Sequence, residues 1–597
     1  MSANHPRRFA ARKAAAAATG LAAIGALAIA MPSAQAHESR HSAERDRTVD
    51  LQMLAINDFH GNLEPPAGSS GRVTELQADG TTKTIDAGGV EYLASSLRSA
   101  RVGHKRTVTV AAGDIVGASP LLSGLFHDEP TVEAMNKLGL DVTGVGNHEF
   151  DEGKDELLRL QKGGCHPKDG CYEKGRKFKG ADYPILSANV VNEKTGKPLL
   201  APYTIEHIKG IKVGFIGVTL ESTPDIVTAE GVKGLKFLDE VETINKYSKE
   251  LKSKGVNAIV ALVHEGGFPS SGSYNYDCDA GGDGKGLSGP IVDIARNTSA
   301  DVDALITGHT HNAYVCTIPD PKGNDRLVTS AASFGRLYTE LNMKFDKRTD
   351  DIVRASVVGS NHVVNRTQNK AADLTQLVSH WQTLAAPVAN RTVGWISQDI
   401  TRNGSESPLG DLIADAQLAY GRTLDPGTDL ALMNPGGIRT DLVHKASGSE
   451  GDGVVTYAEG FAVQPFSNTV NLKDLTGAQL ITVLQQQVSG TNAAAPKILQ
   501  ISAGLTYTLD LTKTGADRVV AGSVKLGGVP IDPAATYRVA MNNFLAGGGD
   551  GFGELANGTN QVVGGDDLAA LNAYLTANST ASAPLAAPAA NRITIVQ

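Results

Sequence analysis

Between Val49 and about Val364 the sequence repeats one pattern: a short apolar run, then a Gly, Asp, Asn or His cluster, then a helix-like stretch. The runs and their clusters include LQMLAIND, RTVTVAAGD, DVTGVGNHEFD, YPILSANVV, IKVGFIGVT, NAIVALVHEGG and DALITGHTH. Continuous apolar strands that alternate with helical segments are typical of a layered α/β domain with a largely buried sheet. Ligands of such domains bind where the carboxyl ends of the strands meet the loops, so we expect the polar clusters at that edge.

The clusters contain side chains that can bind a metal ion. The candidates are Asp58, His60, Asp114, Asn147, His148, His264, His309 and His311. A single His or Asp at a strand end is more often a hydrogen-bonded or surface residue, but many of them on one sheet edge would be costly unless they bound a cation. Residues two apart in an extended stretch, such as Asp58 and His60, are expected to point to the same side and hold a common centre.

The donor types indicate the class of ion. Carboxylate, amide and imidazole ligands without cysteine suit borderline divalent ions such as Zn, Mn, Fe, Co or Ni. Even without His148, seven candidate ligands are too many for one tetrahedral zinc and about right for two ions that share a carboxylate, for which Asp114 is the best candidate. A two-metal site about 4 Å across is used for in-line phosphoester hydrolysis.

A second region follows a predicted connecting helix. The apolar residues at helical spacing are Leu374, Leu377, Val378, Trp381 and Leu384, and Pro387 is expected to end the helix. From Arg391 onward the chain has its own strand and helix patterns, and 597 residues exceed what one core usually supports. We predict a catalytic domain over residues 48–365, a linker helix over 366–390 and a second domain over 391–597.

The N-terminus has the pattern of an export signal. A basic start that includes Arg7 and Arg8 precedes the apolar stretch AAAAATGLAAIGALAIA, and SAQA ends at Ala36. We interpret residues 1–36 as a signal peptide, which predicts a secreted protein by either the Sec or the twin-arginine route. A membrane anchor is the alternative, but the stretch is short and weakly apolar for a spanning helix.

The cysteines indicate disulfide bonds. The four Cys fall into two groups, Cys165 with Cys171 and Cys278 with Cys316, and disulfides are the expected use in an exported chain. Zinc binding by these thiols is the alternative, but none has Cys-x-x-Cys spacing.

The net charge limits the expected partners. A formal net charge of −9 argues against non-specific binding to nucleic acid or to an anionic membrane surface, and an anionic substrate would need local cations.

The ordered series Asp-x-His, Gly-Asp, Gly-Asn-His-Glu, His and Gly-His-x-His resembles the signature of the calcineurin-like metallophosphoesterases. In the second region NPGGIR, PFSNTV and NNFLAGGGDGF resemble the C-terminal domain found with that catalytic domain in the 5'-nucleotidase family. The resemblance covers nearly all of the mature chain. It implies an α/β fold, with an N-terminal metallophosphoesterase layered sandwich and a C-terminal α+β substrate-binding domain.

The resemblance also implies a role for each matched position. One metal would be held by Asp58, His60, Asp114 and His311, and the other by Asp114, Asn147, His264 and His309. His148 would be the catalytic histidine outside the coordination shell, with Asp151 as its partner. A carboxylate on one ring nitrogen favours the charged imidazole, which can give a proton to a leaving oxygen. A cap for a helix that begins near Glu152 is the plain alternative for Asp151.

In the second domain the resemblance implies Phe466 and Phe544 as the two rings that sandwich a nucleobase, and Asp550 as an acceptor for ribose hydroxyls. Asn434 and Arg439 would be polar contacts to the nucleotide, and Arg439 would supply the local positive charge. The alternative for each Phe is a core residue. Stacking tolerates different bases, so broad specificity is expected.

Two positions depart from the family's pattern. Members often have an Arg immediately before the Glu that matches Glu406, where this chain has Ser405, and Arg402 is the nearby substitute. The metal position His311 is Gln or Asn in some relatives, which leaves the metal preference open.

These observations predict a secreted two-metal phosphohydrolase, a 5'-nucleotidase that releases phosphate from nucleoside 5'-monophosphates by attack of a metal-bound water. The same signatures leave two other activities open, a 2',3'-cyclic-nucleotide phosphodiesterase or 3'-nucleotidase and a hydrolase of UDP-sugars or nucleoside polyphosphates. A catalytically silent nucleotide-binding surface protein is a third interpretation, but all the ligands and the catalytic pair are present. The expected partners are a nucleotide and two divalent cations, with no nucleic acid and no membrane anchor, and the oligomeric state stays open.

Overall fold

The computed structural model describes residues 47–597 apart from residues 229–230, 449 and 467 and the side chain of Ser69. The predicted signal peptide, residues 1–36, lies outside the described residues. Within the described part of the chain, none of the helices combines the length and the apolar character needed to cross a bilayer.

The first region contains two six-stranded sheets. In spatial order the first sheet has Asp351–Val363, Leu337–Asp346, Thr48–Ile56, Thr107–Ala112, Val142–Gly144 and Ile185–Leu186. The last four of these strands are parallel, and the first two pair antiparallel. The second sheet has Ala313–Thr317, Leu327–Ala331, Ala304–Thr307, Ile259–His264, Ile211–Thr219 and Tyr203–Ile208. Its four central strands are parallel, and its two edge strands are antiparallel.

The two sheets pack face to face. Met53 and Val110 of the first sheet share one buried apolar core with Phe215 and Val260 of the second. The outer face of the first sheet is covered by Val90–Ala100, Glu129–Leu138, Lys154–Lys162 and Ala372–Ala389. The outer face of the second sheet is covered by Glu240–Ser253 and Pro290–Asn297. This four-layered arrangement confirms the predicted α/β sandwich and directs the carboxyl ends of the parallel strands to a common edge.

The predicted connecting helix spans Ala372–Ala389 and packs on the first region. Trp381 is buried and donates its indole N–H to Glu133 Oε2 at 3.2 Å. The expected end at Pro387 is wrong by two residues, since Pro387 lies inside the helix. A proline in the final turn removes a single backbone hydrogen bond, and no long helical segment follows for it to break.

The second region is built on two further sheets. A five-stranded sheet has Gln500–Ile501, Leu430–Met433, Thr536–Asn542, Thr469–Thr476 and Thr559–Asp566 in spatial order. A four-stranded sheet has Val529–Pro530, Lys525–Leu526, Leu505–Asp510 and Ile593–Val596. The helices of this region are Pro408–Leu424, Tyr457–Val463, Gly477–Gln486, Asn543–Ala546 and Asp567–Asn578. Mixed sheets with helices packed against them match the α+β domain that the resemblance implies.

Both predicted disulfides are present. Cys165 is bonded to Cys171 and Cys278 to Cys316, with Cα–Cα separations of 4.6 and 5.3 Å. The first bond closes a short surface loop after Lys154–Lys162, and the second joins a loop to the edge strand Ala313–Thr317.

Candidate active site

The strands of the first region end just before the predicted metal ligands. Thr48–Ile56 stops two residues before Asp58, and Ala304–Thr307 stops two residues before His309. The expected extended geometry is therefore wrong. Left-handed backbone angles, with φ between 48° and 69°, occur at Asp58, His60, Asp114, His309 and His311. Such angles cost on the order of 1–3 kcal/mol each for residues with a Cβ and cluster at functional sites. The ligands converge through tight turns rather than through strand alternation.

The first cluster joins three side chains that follow strands of the first sheet to His311, which follows a strand of the second sheet. His60 Nε2 lies 3.5 Å from Asp114 Oδ2 and 3.1 Å from His311 Nε2. His311 Nε2 lies 3.3 Å from Asp58 Oδ1, and one donor atom from each of the four lies within 4.8 Å of the others. Burial outweighs the attraction of Asp114 and lowers the pKa of His60 well below its ordinary value, so the ring is neutral, as a metal ligand must be.

The second cluster shares Asp114 with the first. His264 Nε2 lies 3.0 Å from Asp114 Oδ2 and 3.2 Å from Asn147 Oδ1, and His309 Nδ1 lies 3.0 Å from Asn147 Oδ1. One donor atom from each of Asp114, His264 and His309 lies within 4.8 Å of the others. The carboxylate, amide and imidazole donors therefore fit two divalent cations that share Asp114.

Backbone carbonyls orient two of the imidazoles. His60 Nδ1 lies 2.8 Å from the carbonyl oxygen of Gly117, and His264 Nδ1 lies 2.7 Å from that of Ala112. Donation from Nδ1 directs the lone pair of Nε2 toward the cluster, which is the outer hydrogen bond typical of metal-binding histidines.

Glu149 is a structural residue of the site that the sequence interpretation missed. Its carboxylate accepts the backbone N–H groups of Asp114 at 3.0 Å and Ile115 at 2.9 Å, so it fixes the turn that carries Asp114. Burial and the carboxylate of Asp114 raise the pKa of Glu149 to about 7. Its position in GNHEFD, directly after His148, is the signal by which it could be found.

His148 and Asp151 form the pair that the sequence predicts. His148 Nδ1 lies 2.9 Å from Asp151 Oδ2. Burial alone would lower the pKa of His148, but the carboxylates of Asp151 and Asp114 outweigh it and raise the pKa above the ordinary value. The helix Lys154–Lys162 has Gly153 at its N-cap, so the alternative interpretation of Asp151 as the cap is wrong.

Two residues of the second region reach the first metal cluster and the neighbouring His148. The guanidinium carbon of Arg439 lies 5.6 Å from the ring centre of Phe466, and Arg439 Nη2 lies 3.5 Å from His60 Nε2. The ring of Phe466 also stacks on that of His148, with 5.6 Å between centres. Burial, followed by the neighbouring charge of Arg402, lowers the pKa of Arg439 to about 10.

Asp550 is held in a polar network of the second region. Its Oδ2 accepts from Asn434 Nδ2 at 2.8 Å, and its Oδ1 accepts from Lys497 Nζ at 2.6 Å. Asn542 Nδ2 donates to Asn434 Oδ1 at 2.9 Å. The sequence interpretation missed Lys497, because nothing in APKILQ distinguishes it from an ordinary surface lysine.

A cavity of about 340 Å³ joins the two regions. The first region lines it with Asp114, Asn147, His148, Asp151, His309 and His311. The second lines it with Asn434, Arg439, Phe466, Lys497, Phe544 and Asp550. The predicted ligands Asp58, His60 and His264 are fully buried. A Cβ at Gly549 would lie 2.5 Å from the ring of Phe544, so glycine is required there to leave room for the ring.

Arg402, the substitute for the missing Arg at Ser405, has partners within the protein. Its Nη1 donates to the carbonyl oxygen of Ile438 at 2.9 Å, and its Nη2 donates to Ser70 Oγ at 3.3 Å. Its part in phosphate or ribose binding stays a prediction.

Comparison with known proteins identifies both regions. Residues 51–313 match the family model described as calcineurin-like phosphoesterase, and residues 387–557 match that of the 5'-nucleotidase C-terminal domain. Endonuclease YhcR of Bacillus subtilis is 33% identical over 90% of this chain and 40% of its own length. Cell wall protein Lmo0130 of Listeria monocytogenes is 34% identical over 85% of this chain and 64% of its own length. This chain thus spans less than two thirds of the length of either relative.

The crystal structure of a 5'-nucleotidase precursor from Thermus thermophilus is 26% identical, with a TM-score of 0.72, and the match covers 92% of this chain and 100% of that one. The match over residues 51–313 agrees with the layered sandwich and with the carboxylate that the two clusters share. It places the first region among the calcineurin-like metallophosphoesterases. Enzymes of this class use two divalent metal ions to hydrolyse phosphoric esters. The second match, over residues 387–557, follows in chain order and is to the 5'-nucleotidase C-terminal domain. The chain belongs to the 5'-nucleotidase family.

Proposed function

We propose that this protein releases phosphate from nucleoside 5'-monophosphates. The observation that carries the proposal is the shared cavity, because the metal clusters form one wall and aromatic and hydrogen-bonding side chains of the second region form the other. Its volume of about 340 Å³ is in the range of small-molecule sites. A mononucleotide needs both walls, one for its phosphate and one for its nucleoside.

The second region would bind and orient the nucleotide. Arg439, which adjoins His60, would contact the phosphate oxygens, and its fork of N–H donors suits that geometry. Asp550 and Asn434 would hold the ribose hydroxyls. The base would lie against Phe544 and against the face of Phe466 opposite His148, since His148 stacks on the other face.

His148 would give a proton to the oxygen of the nucleoside as it leaves. Asp151 and Asp114 raise the pKa of His148, so more of the imidazole is charged near neutral pH. Asp151 holds Nδ1 and thereby leaves Nε2 as the proton donor. Two divalent cations on the clusters around Asp114 would supply neutralisation of the phosphoryl oxygens and activation of water.

The experiment is phosphate release from AMP by the purified protein, after metal removal and after addition of Zn, Mn or Co. We expect release that depends on metal. Folded protein that releases no phosphate from AMP with any of these metals would refute the proposal.

A substrate panel separates the proposal from its alternatives. Rates on 3'-AMP, cyclic 2',3'-AMP, ATP, UDP-glucose and single-stranded DNA are compared with the rate on AMP. We expect AMP to give the highest kcat/KM, because the cavity holds one nucleotide between two walls. A higher kcat/KM on DNA would instead assign this chain the activity in the name of its relative YhcR.

We also propose that the protein is exported and cleaved after Ala36. Two disulfides in the described residues support an oxidising compartment. Mass spectrometry of protein from the culture medium should find His37 as the first residue, and an intact N-terminus in the cell pellet would contradict export.

A further inference from the structure

A second group of histidines and carboxylates lies on the surface, outside the candidate active site. His127 lies just before the helix Glu129–Leu138, and Glu152 lies just before the helix Lys154–Lys162. His166 and Asp169 lie in the surface loop that the Cys165–Cys171 disulfide closes. One donor atom from each of His127, His166 and Asp169 lies within 4.8 Å of the others. Two chain segments thus bring two imidazoles and a carboxylate to one point, and a third places Glu152 beside His127.

The two imidazoles converge on one carboxylate oxygen. Asp169 Oδ2 lies 2.7 Å from His127 Nε2 and 3.3 Å from His166 Nδ1. The two rings stack with 3.7 Å between their centres and 21° between their planes. Without a cation, His127 Nε2 pairs with Asp169 Oδ2 and His166 Nδ1 accepts the backbone N–H of Asp169, whereas a divalent cation would be bound by both nitrogens together with the carboxylate.

Glu152 completes the pattern of a metal-binding histidine. Its Oε2 lies 2.6 Å from His127 Nδ1, so the Nδ1–H of His127 donates to it. Without a cation, Nε2 also carries a proton and donates it to Asp169, because the two carboxylates outweigh burial and raise the pKa of His127 to about 9. A carboxylate behind the ligating imidazole is the usual outer partner at metal sites, where it fixes the tautomer. A cation between Nε2 and Asp169 would take the place of that proton.

The donor distances are close to those of a tetrahedral ion, and the two stacked rings would have to turn apart for both lone pairs to point at it. Bonds of about 2.0 Å place two ligand atoms of a tetrahedral zinc ~3.3 Å apart. His166 and Asp169 already have that spacing, and Asp169 would withdraw from His127 by roughly 0.6 Å on the same geometry. The side chain of Asp169 is 56% exposed and can do so. At His166 Nδ1 the cation would replace the backbone N–H of Asp169, which the nitrogen accepts at 3.1 Å.

We propose that His127, His166 and Asp169 form a third divalent-metal site, with Glu152 as the outer hydrogen-bond partner of His127. Two imidazoles and one carboxylate, with a position open to water, select Zn, Co, Ni or Cu(II) over Mg and Ca. The site ties the disulfide-closed loop to the turn at Glu152, which directly follows Asp151 of the candidate active site. Its exposed ligand Asp169 lets it exchange metal with the solvent separately from the buried clusters around Asp114.

The test counts zinc bound to the full chain after equilibrium dialysis at a buffered free zinc concentration. We expect one zinc fewer per chain in His166→Ala and in Asp169→Asn than in the parent. His207→Ala, which removes an exposed histidine elsewhere, serves as the matched control and should equal the parent. Circular dichroism and AMP hydrolysis report whether each variant is folded. Equal zinc content in the parent and both folded variants would overturn the proposal.

A second measurement does not depend on any variant. Crystals soaked in zinc chloride and measured at the zinc absorption edge should show an anomalous peak beside His127 Nε2, His166 Nδ1 and the carboxylate of Asp169. Peaks at the Asp114 clusters without one at this position would overturn the third site. Loss of AMP hydrolysis would bear on the proposed function alone, because the third site is judged by its own zinc.

Discussion

The two walls of the cavity are built in different ways. The metal-cluster wall consists of residues that follow parallel strands, with the backbone forced into left-handed turns and side chains that are mostly buried. The nucleotide wall consists of loop residues after strands such as Leu430–Met433 and Thr536–Asn542, joined by hydrogen bonds between distant segments. The first wall holds the metal ligands in one rigid arrangement. Each side chain of the second wall would make its own contact with the nucleotide. Substitutions in the first should therefore abolish turnover, and substitutions in the second should change substrate binding in steps.

Removal of the shared carboxylate should have the largest effect. In Asp114→Asn both metal clusters lose a charged ligand, and the loss of several kcal/mol of transition-state stabilisation predicts a fall in kcat of about 10⁴-fold. Metal analysis should show less than one ion per chain at the clusters. Asp50→Asn, an exposed aspartate on the strand that leads to Asp58, is the control and should keep metal and activity. Full metal content in Asp114→Asn would show that Asp114 is not a shared ligand.

His148→Asn should lower kcat on AMP by about 10³-fold, within the range for a positioned proton donor, and leave the metal content unchanged. The leaving group gives the sharper comparison. Nitrophenolate leaves from p-nitrophenyl phosphate without needing a proton, so the fall on that substrate should be much smaller. Equal falls on both substrates would contradict proton donation and assign His148 a role in phosphate binding.

Much of the metal-cluster wall could be predicted from the sequence, because each ligand directly follows an apolar run that could only be a buried strand. The order of the motifs along the chain then limited which ligand or catalytic role each residue could have. The left-handed turns at Asp58 and His60 were not predictable, since they follow from packing of the turns against one another. Glu149 was missed for a related reason, because its partners are backbone N–H groups of residues about 34 positions away in the chain.

The nucleotide wall was less visible in the sequence. Glycine-rich turns favoured ligand contact for Phe544, whereas the role of Asp550 came from the family resemblance. In the structure Gly549 leaves space for the ring of Phe544. The contact between Lys497 and Asp550 joins residues 53 positions apart, and no periodicity or turn signal marks such a pair. The long-range side-chain network of this wall depends on the tertiary fold.

Phe544→Ala should weaken binding of nucleotides without affecting the chemistry. Loss of stacking on one base costs about 1–3 kcal/mol, which predicts a rise in KM for AMP of roughly 5- to 150-fold with little change in kcat. Ribose 5-phosphate, which has the phosphate and sugar but no base, is the matched control substrate and should keep its KM. A similar rise in KM for both substrates would contradict base stacking and indicate that Phe544 supports the fold of the loop.

The smallest expected effect concerns the hydrogen-bond network of Asp550, which would hold the ribose. Lys497 Nζ lies 2.6 Å from Asp550 Oδ1, and Lys497→Met removes this charged donor while keeping most of the side-chain length. Lys497 is 35% exposed, so solvent replaces part of the interaction, and a loss of about 1 kcal/mol predicts a roughly fivefold rise in KM for AMP. 2'-Deoxy-AMP and 3'-deoxy-AMP should respond less, because each makes fewer contacts with Asp550. Lys525→Met, at an exposed lysine of the same region, controls for the loss of charge. If Lys525→Met raised KM as much as Lys497→Met does, the effect would come from the overall charge of the second region rather than from the position of Asp550.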